Sequence, residues 1–132
     1  MMMPVLFIGH GSPMTIEQSQ RLAEWRSWGA SLPTPRAVLM ISAHWETRPL
    51  MLGSTSTQPL IYDFYGFPES YYQLSYPAPG APQLASRISE LLLHAGVAFG
   101  ERPDRGWDHG VWIPMLGLYP EADVPLLQLS LP

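Results

Sequence analysis

The sequence predicts an α/β domain with a central, mostly parallel or mixed sheet flanked by helices. Three observations carry that expectation. Residues 4–9 and 37–43 are short apolar runs bounded by Gly, Pro or polar residues, the pattern of strands buried on both faces. Each run leads into a histidine, His10 and His44. Residues 82–95 carry Leu84, Ile88, Leu91 and Leu92 on one helical stripe, with Pro in the first turn and Gly96 after the last.

Taken in order, residues 4–9 predict a first buried strand, followed by a tight loop through Gly9, Gly11 and Pro13. A helix is expected from about Thr15 to Gly29: Thr15 is a candidate cap, Gln18 stands three residues on, and Leu22, Trp25 and Trp28 recur at helical spacing. Pro33 and Pro35 end it, and 37–43 predicts the second strand, giving a β-loop-α-β unit with a right-handed parallel crossover. Residues 49–53 suit a short strand. The stretch from Ser54 to Pro82, rich in Pro, Gly, Ser and Tyr, reads as a long loop whose aromatic residues make it a pocket wall or lid. After the 82–95 helix, a short strand is expected near 97–99, a loop at 106–110, a short helix over 111–118 and a last buried strand over 124–131. A sheet finishing on a strand looks unfinished.

Composition narrows the function classes. The chain has 132 residues, 46% apolar and 14% charged, which suits one globular domain and suggests that a partner or further sequence covers part of the surface. A net charge of −4 without a basic stripe argues against a nucleic-acid partner. There is no cysteine, so disulfides and thiolate metal sites are excluded. No apolar stretch approaches the roughly 20 residues of a membrane span, and Met1-Met2-Met3-Pro4 leads into the first run without a signal-peptide pattern. A cytoplasmic protein is expected.

The chemistry points to histidine. Open α/β sheets gather ligands where strands give way to loops, the expected setting of both His10 and His44. Imidazole is the commonest protein ligand for metals such as zinc and iron. Two ligands are too few, since catalytic zinc usually has three and non-haem Fe(II) uses two His and a carboxylate. His109, Asp108, Asp63 and Glu46 are the candidates for a third. For His109, in the Gly-flanked loop Asp108-His109-Gly110, a proton-transfer role fits better than ligation, and a structural bond fixing the turn is the plainer alternative. Asp108 is a weak candidate to orient it, because adjacent residues often point apart. His94, in the last turn of a helix, reads as a surface residue. Tyr62 and Phe64 suit the wall of a flat aromatic pocket, with core packing as the alternative. Asp63 between them is a candidate for a polar substituent or a turn.

Five motifs stand in one order: His10-Gly11-Ser12-Pro13-Met14, Ser42-Ala43-His44-Trp45, Asp63-Phe64 with Gly66-Phe67-Pro68, Tyr76-Pro77-Ala78-Pro79-Gly80, and Asp108-His109-Gly110. In this the chain resembles the LigB-type (class III) extradiol ring-cleavage dioxygenases, in the DOPA 4,5-dioxygenase (DODA-like) subgroup. The resemblance implies that residues 1–132 are the N-terminal part of a longer LigB-like catalytic domain. It implies Fe(II), or zinc as found, and a catechol opened with O2. Carried over by motif, His10 and His44 are metal ligands and His109 the acid/base residue. Ser12, Trp45, Tyr62, Asp63 and Phe64 are assigned to the substrate side. The family's remaining ligands lie in the C-terminal half, so activity is expected to depend on that half or on a partner chain. Self-association through an open strand edge is the other expectation. The alternative is a truncated, non-catalytic metal-binding or interaction module.

Overall fold

The computed structural model describes residues 2–132. Its elements are α1 (Ser19–Ser31), β1 (Val38–Glu46), β2 (Leu50–Leu52), α2 (Pro82–His94), β3 (Phe99–Glu101), α3 (His109–Leu118) and β4 (Leu126–Leu131), with 3-10 turns at Pro13–Glu17 and Glu69–Gln73. The four strands form one mixed sheet in the order β1-β4-β2-β3. β1 runs parallel to β4, pairing Val38 with Leu126 through Ile41 with Leu129, and β2 runs parallel to β3. β2 meets β4 antiparallel at Leu52 and Leu129. The expected single α/β domain with a mixed sheet is what forms.

β4 explains the layering. Its side chains alternate between the two faces, as a pleated strand requires. Leu126 joins the cluster of Trp107, Val111, Trp112, Ile113 and Met115 around α3, whereas Leu127 joins Leu52, Ala81 and Ala85 beneath α2. Both faces of this strand are therefore covered. Helix α3 is apolar on nearly every side and buried along almost its whole length, so it occupies the interior and α1 packs outside it. The close approach depends on Gly117, where a Cβ would stand 2.7 Å from Cε3 of Trp25 on α1.

Several expectations are corrected. Residues 4–9 form no strand, and among the described residues nothing pairs with them; Val5 and Phe7 are 100% and 98% exposed. An apolar run becomes a strand only where a neighbouring ladder accepts its N–H and C=O groups, so the expected crossover unit does not form. The helix forecast from Thr15 splits at Gln18, whose backbone (ψ 78°) leaves the helical region. Ser12, not Thr15, caps the turn, accepting a hydrogen bond from the Met14 amide at 3.2 Å. β1 extends through Glu46, so His44 lies within the strand, in a stretch where the pairing with β4 is irregular. The third helix begins at His109 because Asp108 supplies its N-cap. The strand expected near 97–99 starts at Phe99.

The 54–82 segment is tied to the core. Ile61 bonds the Trp107 carbonyl at 2.7 Å, the Trp112 indole donates to Ile61 O at 3.1 Å, and the Tyr62 hydroxyl donates to the Leu74 carbonyl. Among the described residues no helix is long and apolar enough to cross a membrane.

Candidate metal centre

Three segments bring one histidine each to a common point. His10 follows the unpaired N-terminal stretch and is held by Thr15, whose hydroxyl donates to the His10 carbonyl at 2.5 Å. His44 comes from β1, and its amide donates to Ser42 Oγ at 3.1 Å. His109 opens α3. The ring centroids lie 5.1 Å apart for His10 and His44, 5.2 Å for His10 and His109, and 4.1 Å for His44 and His109. One ring nitrogen from each lies within 4.8 Å of the other two, a group able to hold a metal ion. Burial is graded, with His109 only 6% exposed, His10 half-buried and His44 exposed. The cluster therefore has a protein side and an open side.

The donor set fits a divalent ion. The Nε2 atoms of His10 and His44 stand 3.1 Å apart. Two nitrogens at that spacing, each at the ordinary metal–imidazole distance of about 2.1 Å, subtend about 95° at one ion. Ligation also needs neutral imidazole. Burial, followed by the nearby His109 and His44, holds His10 below the ordinary histidine range, which favours that form.

Asp63 sets the third imidazole. Its Oδ1 accepts from His109 Nδ1 at 2.7 Å and from the His109 amide at 3.0 Å, while Oδ2 lies 4.0 Å from His44 Nδ1. Burial alone pushes this carboxyl up, but the side-chain and backbone bonds from His109 outweigh it and hold Asp63 below the ordinary carboxylate range. With Nδ1 donating to Asp63, His109 presents Nε2 with its lone pair free. The alternative in which His109 bonds a backbone carbonyl is thus replaced by a carboxylate contact.

The other sequence candidates fall apart spatially. Asp108 is fully buried and bonded to Ser42, Gly110, Arg105 and Gln128, so it makes no direct bond to the His109 ring and offers no free oxygen to a metal. Glu46 is exposed at the end of β1 and outside the three-histidine group. Of the residues assigned to the substrate side, Phe64 meets His109 edge-on at 5.5 Å and Tyr62 meets Phe64 at 6.3 Å. Trp45 is buried, with the Arg105 guanidinium 4.5 Å from its ring, and Ser12 uses its hydroxyl as a cap. His94 is exposed on α2, as expected. Sequence reasoning missed Thr15, Ser42, Arg105 and Gln128. Gln128 left a signal, a large polar side chain among the leucines of β4 that needs a buried partner.

An α/β domain in which a sheet strand, the central helix and the loop after the N-terminal stretch converge three histidines defines the class of protein. The family of the catalytic LigB subunit of aromatic ring-opening dioxygenase matches residues 4–132, and the chain belongs to that family. It is 45% identical over 130 residues to the 4,5-DOPA dioxygenase extradiol of Escherichia coli, covering 98% of this chain and 48% of that protein. It is 44% identical to the protein of the same name from Beta vulgaris, covering 94% and 48%. A solved structure of an uncharacterized Escherichia coli protein superposes with a TM-score of 0.63 at 36% identity, over 83% of this chain and 39% of that one. The chain spans about half the length of the curated relatives it matches.

Proposed function

We propose that this chain carries the N-terminal share of an extradiol dioxygenase centre acting on a catechol, DOPA-like in class, with O2. The convergence of His10, His44 and His109 carries the reading, supported by membership of the ring-opening family and by relatives named for DOPA cleavage. In this account His10 and His44 hold Fe(II), with zinc the alternative occupant. The bound ion supplies Lewis acidity to the catechol oxygens and an electron path to O2.

The chain's own residues do the rest. His109 Nε2 accepts a catechol proton, and the Asp63 carboxylate at 2.7 Å stabilises the imidazolium that results. The same imidazolium later returns the proton. Phe64 and Tyr62 form an aromatic wall beside His109, and because the Tyr62 hydroxyl is bonded to Leu74 it offers only its ring. Ser12, exposed at the loop after His10, belongs to the rim of the proposed pocket, and Asp63 acts there through His109. Trp45, buried beneath the Arg105 guanidinium, takes part from beside His44 in β1 rather than by direct contact with substrate. A cytoplasmic setting is part of the proposal, since a cysteine-free chain needs no oxidising compartment.

A second reading makes His109 the third ligand, favoured by its donor nitrogen lying within 4.8 Å of the other two. His109→Ala separates the two. Loss of roughly 10²- to 10⁴-fold in turnover with metal retained supports the acid/base role. Loss of metal supports ligation.

The missing cover is the other half of the proposal. Leu39 and Ile41 project from β1 on the face opposite the α3 cluster and are 36% and 53% exposed, and Val5 and Phe7 are bare as well. We assign this surface to a complementing C-terminal half, or to a second copy of the chain. Anaerobic Fe(II) loading followed by a catechol and O2 tests the whole reading. A yellow ring-opened product, with or without an added C-terminal half, supports it. Absence of product in both cases, with metal held only weakly, favours a non-catalytic metal-binding or interaction module.

A further inference from the structure

We propose that Asp108 is a positioning residue that holds His44 and His109 in register with one another, acting on His44 through Ser42. The inference rests on the metal-centre reading above and adds to it a part that the histidines themselves do not reveal.

Asp108 is wholly buried, and both of its oxygens are occupied. Oδ1 accepts from Ser42 Oγ at 2.7 Å and from the Gly110 amide at 3.0 Å. Oδ2 accepts from Gln128 Nε2 at 2.6 Å and from Arg105 at 3.2 Å. Ser42 Oγ in turn accepts the amide of His44 at 3.1 Å. One carboxylate is thereby bonded to the strand that carries His44, to the first turn of the helix that carries His109, and to β4. Hydrogen bonds to an ionised acceptor are the strong ones, and a buried donor left without its acceptor is costly.

A helix cap alone accounts for only one of these four bonds. The bond to Ser42 spans 66 positions of chain, so connectivity does not impose it. Gly110 permits the close approach, because a Cβ there would stand 2.7 Å from His44 Cδ2. Arg105 extends the device to the other neighbour of His44, lying over the Trp45 ring at 4.5 Å. Both residues that flank the 43–44 segment are thus tied to the same buried charge. Outer-shell groups of this kind typically change metal affinity by 10- to 100-fold when removed.

The amide variant supplies a rescue. Gln128 Oε1 is buried without a hydrogen-bond partner among the described residues. In Asp108→Asn, the new amide keeps an oxygen toward Ser42 and Gly110, and turning Gln128 brings its orphan oxygen to the new NH2 group, while Arg105 loses its acceptor. The test is a titration of the full chain with Zn2+ alone, alongside thermal unfolding. Ser42→Ala and Asp108→Ala are expected to weaken zinc binding about 10-fold or more. Asp108→Asn, which keeps the Ser42 and Gly110 bonds but loses the charge and the Arg105 bond, is expected to lose less zinc affinity than Asp108→Ala. Leu52→Ala, in the cluster beneath α2, is expected to lower Tm while leaving zinc affinity unchanged. If Asp108→Ala does not fold, Ser42→Ala carries the test, since it leaves the helix cap in place. Unchanged zinc affinity in Ser42→Ala overturns the inference, as does a loss in Leu52→Ala that follows Tm in the same proportion. A parent chain that binds no zinc overturns the metal centre itself, and is recognisable as that separate failure.

Discussion

His10 and His109 reach the same point from opposite kinds of structure. His109 opens a helix buried on nearly every side, its amide and ring both gripped by Asp63 and its neighbour Asp108 locked into the sheet. His10 ends a stretch with no ladder partner among the described residues, and its main anchor is the hydroxyl of Thr15. The difference teaches that half of the centre is built by this chain's core and half depends on a slender tether. In the stretch leading to His10, Val5 and Phe7 also lie uncovered.

Hydrogen exchange puts the largest number on that contrast. Amides of Leu126–Leu129 are expected to open only with global unfolding, about 5–15 kcal/mol for a domain, whereas those of residues 5–9 are expected to exchange with almost no protection. Equal protection in the two segments would erase the distinction. Next in size is Trp112→Ala, which removes a fully buried indole and is expected to cost about 3–5 kcal/mol in denaturant unfolding. Phe7→Ala, 98% exposed, is expected to stay within about 0.5 kcal/mol of the parent while reducing self-association measured by light scattering. A parent that is a monodisperse monomer rules out the second copy as the occupant of that surface and leaves the complementing C-terminal half.

Thr15→Val is a finer probe of the tether. Losing the bond to the His10 carbonyl is expected to cost about 1 kcal/mol. Zinc affinity should fall further than that stability loss explains, because the displaced group is a proposed ligand; unchanged affinity would mean that His10 is held some other way. Smallest is the acid response at Asp63. Its carboxyl lies below its unfolded value, so the stabilisation is present above the ordinary carboxylate range and is lost as pH falls through the lowered native value. Asp63→Asn should remove that share of the acid transition, seen as a shallower loss of Tm on acidification; an identical acid profile rules it out.

The legible parts of the fold were those whose cause is local. α2 announces itself through Leu84, Ile88, Leu91 and Leu92, with its Pro start and Gly stop, and β4 through a run apolar enough to be covered on both faces. His10 and His44 were legible as a pair because each follows an apolar run. The failures all involve a distant partner. Nothing within residues 4–9 says that no strand will pair with them. The Asp63–His109 contact spans 46 positions and the Ser42–Asp108 contact 66, with no periodicity to betray either. Adjacent in sequence, Asp108 and His109 nevertheless serve different carboxylate–donor networks, which the chain folds back to back.

The most direct measurement is the ring-nitrogen NMR spectrum of the four histidines during a Zn2+ titration. The Nε2 signals of His10 and His44 are expected to shift together and saturate at one ion per chain, while exposed His94 does not move. Independent shifts of His10 and His44, or saturation of one without the other, would contradict a shared centre.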